Sequence, residues 1–127
     1  YPLPKTTRFI YEALKKMRAV HLESGSRFKP RYLWRGLRNL QVDNEFMRNG
    51  GTELACMSTS EDINVVAKYC QCDEPLVFRI RVASPMDLGA DISWLSCFPH
   101  EKEVLYPPLT YLKPLYLQEM KSKKKGV

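Results

Sequence analysis

The chain has no apolar run approaching the roughly 18 residues that a bilayer span requires. Its opening, "YPLPKTTRFIYEALKKMRAV", is charged throughout and lacks the apolar core of a secretion signal. A membrane span is therefore not expected, while a signal removed from a longer precursor is left open. Histidine is scarce: His21 and His100 stand far apart, and Cys70 and Cys72 are too close for the two-residue gap of a zinc knuckle. No metal is expected. Cys56 and Cys97 bring the cysteines to four, an even number that permits two disulfides. A chain of 127 residues does not need them, because it can bury about two-thirds of its unfolded surface. Reduced thiols and a cytoplasmic setting follow as the expectation. Internal repeats and long linkers are also missing, which predicts one domain over residues 1–127. The net charge is +6, part of it in the tail "KSKKKGV" at 121–127, which reads as a solvated basic end. A basic surface attracts anions, but the interleaved aromatic and basic pattern of a nucleic-acid module is not visible.

Hydrophobic periodicity divides the chain. Phe9, Ile10, Ala13, Leu14 and Met17 recur at helical steps and predict a helix over 5–22, capped by Thr6 or Thr7. "RYLWRGLR" predicts a strand at 31–38, and "LQVDNEFMRNGG" a short helix closed by Gly50 in a left-handed cap. "TELACMS" reads as a strand over 52–58. A helix should follow it, with Thr59 or Ser60 as cap, Glu61 and Asp62 in the first turn, and Ile63, Val66 and Ala67 as the apolar stripe. "PLVFRIRVA" alternates Val77, Arg79 and Arg81 against Phe78, Ile80 and Val82, a strand with one wet face. Residues 84–101 read as loop with a short extended piece near Ile92, "KEVLYPP" as a strand, and "TYLKPLYLQEM" as a last strand with Pro114 at an edge or bulge. One or two helices followed by five or six strands make an α+β domain.

Three stretches could carry chemistry. In "FPHEKEVLYPP", strand alternation puts Glu101 and Glu103 on one face with Lys102 turned away. Adjacent like charges gain nothing in packing, so the pair is either a solvated edge or a working pair. Paired carboxylates suit reactions through an oxocarbenium ion: one stabilises the sugar cation, the other orients or deprotonates the acceptor. In "STS" at 58–60, hydroxyls stand where strand becomes helix; they either cap the helix or hold a neighbouring carboxylate. In "LWRGL", Arg35 either pairs with a core carboxylate or clamps a phosphate, and Gly36 permits close approach to the backbone.

Arginine on the first strand, hydroxyls ending the second and twin acids opening a later one stand in the order of a known family. The chain resembles the arginine-specific mono-ADP-ribosyltransferases of the Arg–Ser–Glu branch with a Glu-x-Glu motif. "YLWRGL" is similar to that family's aromatic-Arg-Gly strand, and "ACMSTSEDINVVAKY" to its Ser-Thr-Ser strand and following helix. "LGADISWLSCFPHEKEVLYPPLTYL" resembles its turn-turn loop and Glu-x-Glu strand, and the likeness covers roughly residues 31–117. It implies a split β-sandwich of two small sheets with an N-terminal helix, and NAD in the cleft between the sheets. It further implies transfer of ADP-ribose from NAD to an arginine of a target protein, with release of nicotinamide and no metal. Arg35 would contact the phosphate or ribose side of NAD, and the Gly36 backbone the nicotinamide amide. Ser58 would orient Glu103, with Thr59 and Ser60 supporting the pocket. Glu103 would bond the ribose 2′-hydroxyl and stabilise the cation, and Glu101 would hold and activate the acceptor guanidinium. Trp94 and Phe98 would touch the target or pack under the loop; Tyr69 and Phe78 would stack on nicotinamide or, the favoured reading, pack in the core. NAD is a co-substrate here, since no Gly-x-Gly-x-x-Gly fingerprint is present. Larger eukaryotic members carry several helices ahead of the arginine strand where this chain offers one, so a minimal domain or part of a longer protein is expected. The alternatives are an NAD glycohydrolase, with water as acceptor, and a non-catalytic binding module. The expected partners are NAD and an arginine-bearing protein, without membrane or nucleic acid, and the expected state is a monomer.

Overall fold

The computed structural model describes residues 3–25 and 27–119; the expected basic tail at 121–127 lies outside them. The first element is a helix, α1 (Pro4–Glu23). It opens on a proline rather than a threonine cap, because Pro4 at its start has no N–H to satisfy and a φ already suited to a helix. Its buried stripe is narrower than periodicity predicts. Leu14 is buried and Leu22 reaches the core, whereas Phe9 and Ile10 are exposed.

The strand at 31–38 forms as expected. β1 (Arg31–Arg38) is followed by α2 (Asn44–Asn49), which Asp43 caps by accepting from the Phe46 N–H at 2.7 Å. Gly50 ends α2 at φ 73° and ψ −168°, beyond the left-handed helical basin and in a region essentially confined to glycine. The single strand expected over 52–58 is two. β2 (Gly51–Glu53) and β3 (Met57–Ser60) are separated by a bend, and they belong to different sheets. No local residue pattern marks that bend. Next come α3 (Ile63–Tyr69), β4 (Pro75–Val82) and, after a 3-10 turn at Pro85–Asp87, β5 (Ala90–Asp91). A second 3-10 turn at Pro99–Glu101 leads into β6 (Glu103–Tyr106), and β7 (Thr110–Leu112) closes the pattern. The last strand is shorter than expected because Pro114 offers no N–H to a ladder.

The protein is thus an α+β fold: an N-terminal helix, a five-stranded antiparallel sheet in the order β4-β1-β3-β6-β5, and a two-stranded β2-β7 ribbon. β1 and β4 pair along their whole length, Leu33 opposite Ile80. One face of the large sheet builds the core. Leu33, Met57 and Val82 are fully buried there, with Val104, Tyr106 and Leu88 beside them. α1 packs against β5 on this side. The other face carries α3, which lies on β1 and β3. Burying one alternate set of each strand fixes register, because a slip by one residue would turn every core side chain outward.

Tyr106 ties this core to the turn before β5. It is 7 % exposed, and its hydroxyl donates to the Asp87 carbonyl at 2.8 Å. Burial pushes the phenol up from 10 to about 12. A folded-state value above the unfolded one means that the folded chain holds the proton more tightly. The contribution, at most ~3 kcal/mol, is fully present below pH 10 and is lost as pH rises towards 12. Denaturant unfolding at stepped pH should show a stability loss across that window which is absent in Tyr106→Phe.

Candidate active site

α3 starts where Asp62 turns the chain out of β3. The Asp62 carboxylate caps the helix by accepting from the Asn64 N–H at 2.9 Å. The cap is neither Thr59 nor Ser60, and Asp62 stands ahead of the first turn; both hydroxyl residues remain in β3. The buried stripe of α3 is Val66 with Cys70 at its end, whereas Ile63 and Ala67 are exposed. Val66 and Cys70 occupy the space that a side chain at Gly36 would take: a Cβ there would lie 2.0 Å from Cys70 Sγ and 3.0 Å from Val66 Cγ1. Gly36 therefore admits a helix to the strand. Arg38 pins the end of α3 by donating from Nε to the Tyr69 carbonyl. Burial pushes the Cys70 thiol up, which keeps this packed sulfur neutral.

Between α3, the large sheet and the turn before β6 lies a cleft of about 390 Å³. Ser58, Ser60, Glu101, Glu103, Gly36 and Tyr69 all line it. Strand register explains part of this. Ser60 pairs with Glu103 and with Trp34, so all three project to the α3 side of the sheet. Glu101 arrives differently. It ends a 3-10 turn, and Lys102 follows in the left-handed region at φ 46° before β6 begins. Strand alternation, which the sequence suggested for Glu101 and Glu103, is not what brings them together. The backbone reversal at Lys102 does so, held by the Glu61 N–H donating to the Lys102 carbonyl at 3.3 Å.

Each hydroxyl has a distinct task. Ser58 Oγ donates to Glu103 Oε1 at 2.5 Å. Ser60 Oγ donates to the Glu101 carbonyl at 2.6 Å and accepts from the Asp62 N–H at 3.0 Å, so it fixes the turn. Thr59 points the opposite way, buried, and donates to the Val104 carbonyl at 2.7 Å. It supports the site from the core side. Tyr69, expected in the core, is 55 % exposed over the cleft and donates to Glu101 Oε1 at 2.6 Å. That bond, and the charge of Glu101, push the phenol above its ordinary value. No spacing rule in the sequence joins Tyr69 to Glu101; the packing of α3 on β1 and β3 does.

Arg35 borders the same cleft from the other side of its strand. Its guanidinium donates to the Ser58 carbonyl at 3.1 Å and lies 3.5 Å from Glu53. Arg31 pairs with Glu61 at 2.6 Å. Among the described residues, Glu53 and Glu61 thus have arginine partners, while Glu101 and Glu103 have hydroxyls and no ion pair. The β2-β7 ribbon does not line this cleft. A separate cavity of about 300 Å³ lies between the ribbon and the large sheet. The two acids open into the cleft beneath α3. Phe78 lies in the separate cavity, stacked on Phe46 at 5.9 Å, which is packing. Trp94 and Phe98 are 74 % and 57 % exposed on the loop before the acids, so they do not pack under it. All four cysteines are unbridged, and no cluster of three metal-ligating side chains occurs among the described residues.

The fit of α3 into Gly36 sets the cleft's width. Gly36→Ala should destabilise the fold by about 1–3 kcal/mol through overpacking. Cys70→Ala in the same chain should recover more than half of that loss, as measured by denaturant unfolding. Comparison with known protein families, with characterised proteins and with solved structures finds no match.

Proposed function

We propose that the protein is an NAD-dependent mono-ADP-ribosyltransferase acting on arginine side chains, and that the cleft under α3 is its active site. The observation that carries this reading is the pair of carboxylates in one cleft, each fixed by a hydroxyl and, among the described residues, neither in an ion pair. Neutral donors hold each group in place without cancelling its charge. Such fixed negative charge stabilises a cation that develops between reactants. The volume lies in the range of small-molecule sites, roughly 300–1,000 Å³, and suits the nicotinamide-ribose end of NAD. The arrangement of Arg35, Ser58 and Glu103 agrees with the resemblance drawn from the motifs, and the sheets are assigned to the split β-sandwich of that family on the same ground.

Glu103, aligned by Ser58, bonds the ribose 2′-hydroxyl and stabilises the oxocarbenium-like state as the bond from C1′ to nicotinamide breaks, its electron pair leaving with nicotinamide. Glu101 holds the acceptor guanidinium against C1′ and takes the proton that its attacking nitrogen sheds. The Gly36 backbone faces the nicotinamide amide. Arg35 reaches a phosphate by exchanging Glu53 for it, an exchange that the fork of the guanidinium suits. The exposed Trp94 and Phe98 meet the target protein ahead of the acids. Water in place of arginine would make the protein a glycohydrolase; an acid placed to receive a guanidinium favours transfer.

Glu103→Gln should abolish nicotinamide release from NAD while the circular dichroism spectrum of the fold is retained. Glu101→Gln should keep slow release and lose labelling of arginine methyl ester. Unchanged release in Glu103→Gln would rule out the assigned role.

A further inference from the structure

We propose that Tyr69 is the positioning residue of the acceptor step: its hydroxyl fixes Glu101 so that one carboxylate oxygen stays free for the incoming guanidinium. This rests on the function proposed above. Tyr69 Oη donates to Glu101 Oε1 at 2.6 Å, and among the described residues no other side chain bonds that carboxylate. Oε2 is left for a ligand. A hydrogen bond to an ionised acceptor is short and directional, so it selects one rotamer of a flexible side chain. The donor is itself held from behind. Cys70 and Val66 seat α3 against Gly36, and Arg38 grips the Tyr69 carbonyl. The recipient is held as well, because Ser60 bonds the Glu101 backbone. The hydrogen bond to Glu101, and then its charge, also raise the phenol's pKa, which keeps the donor protonated.

Two independent hydroxyls therefore serve the two acids. Ser58 belongs to Glu103 and to the departure of nicotinamide, and Tyr69 belongs to Glu101 and to the arrival of the acceptor. During transfer the guanidinium nitrogen forms its bond to C1′ as the bond to nicotinamide breaks with its electron pair. The free oxygen of Glu101 receives the proton. A loose Glu101 would weaken the acceptor's hold without touching the ribose side. The hydroxyl of Tyr69 therefore sets the partition of NAD between arginine and water.

The test is Tyr69→Phe, which removes only an exposed oxygen, assayed with NAD in the presence and absence of arginine methyl ester. Transfer, read as kcat/KM for the ester by acceptor mass, should fall roughly tenfold to a hundredfold, the worth of a hydrogen bond to a charged group. Nicotinamide release without the ester should stay within about twofold. A merely structural Tyr69 would lower both together, and that result, or no loss in either, overturns the inference while leaving the proposed function standing. Failure of the unaltered chain to release nicotinamide would overturn both.

Discussion

Four residue pairs join β3 to β6, Met57 with Tyr106 through Ser60 with Glu103, and the cleft depends on that register. It is set from the core side. Met57, Val104 and Tyr106 are buried on one face, and Thr59 locks the ladder through the Val104 carbonyl. With those side chains inward, the alternate set, Ser58, Ser60 and Glu103, must face α3. Moving the register by one would bury a carboxylate and expose Met57, which costs several kcal/mol on both counts. The hydrophobic core thus specifies which hydroxyl meets which acid.

The second constraint is electrostatic. Two acids near the cleft, Glu53 and Glu61, are matched by Arg35 and Arg31. The two acids inside it are held by neutral oxygens. An arginine partner would fix a carboxylate equally well but would cancel the field that the proposed cationic transition state needs. Serine and tyrosine supply geometry and leave the charge in place. The Arg35–Glu53 pair is only partly buried and its closest atoms are 3.5 Å apart; such solvent-screened pairs contribute little to stability, so Arg35 can exchange its partner at small cost.

Much of this was legible in the chain. "RYLWRGLR" and "PLVFRIRVA" carry strand alternation strongly enough that the first matches the structure and the second overruns it by one residue, Ala83. Arg35, Ser58, Glu101 and Glu103, singled out from three separate stretches of the chain, line one cleft. Other features were invisible because they are tertiary. The break between β2 and β3 follows from pairing with different partners, which no local residue announces. Periodicity gives Phe9 and Ile10 a helical stripe, but only the position of β5 decides which part of it is covered. Glu101 and Glu103 looked like strand neighbours; a left-handed Lys102 between them does the work, and lysine gives no warning of a positive φ. The space that a side chain at Gly36 would take is filled by Cys70, a tertiary fit that no local residue announces. For Tyr69 the sequence favours core packing over stacking on nicotinamide, yet it is the last residue of a seven-residue helix and stands exposed.

The central claim is that NAD engages the cleft beneath α3. Isotope-labelled chain titrated with NAD, followed by amide chemical shifts, tests it directly. The account predicts shifts that saturate together at Gly36, Ser58 and Glu103. Shifts confined to Leu37, Phe46 and Phe78, around the cavity between the two sheets, or no shifts at millimolar NAD, would contradict it.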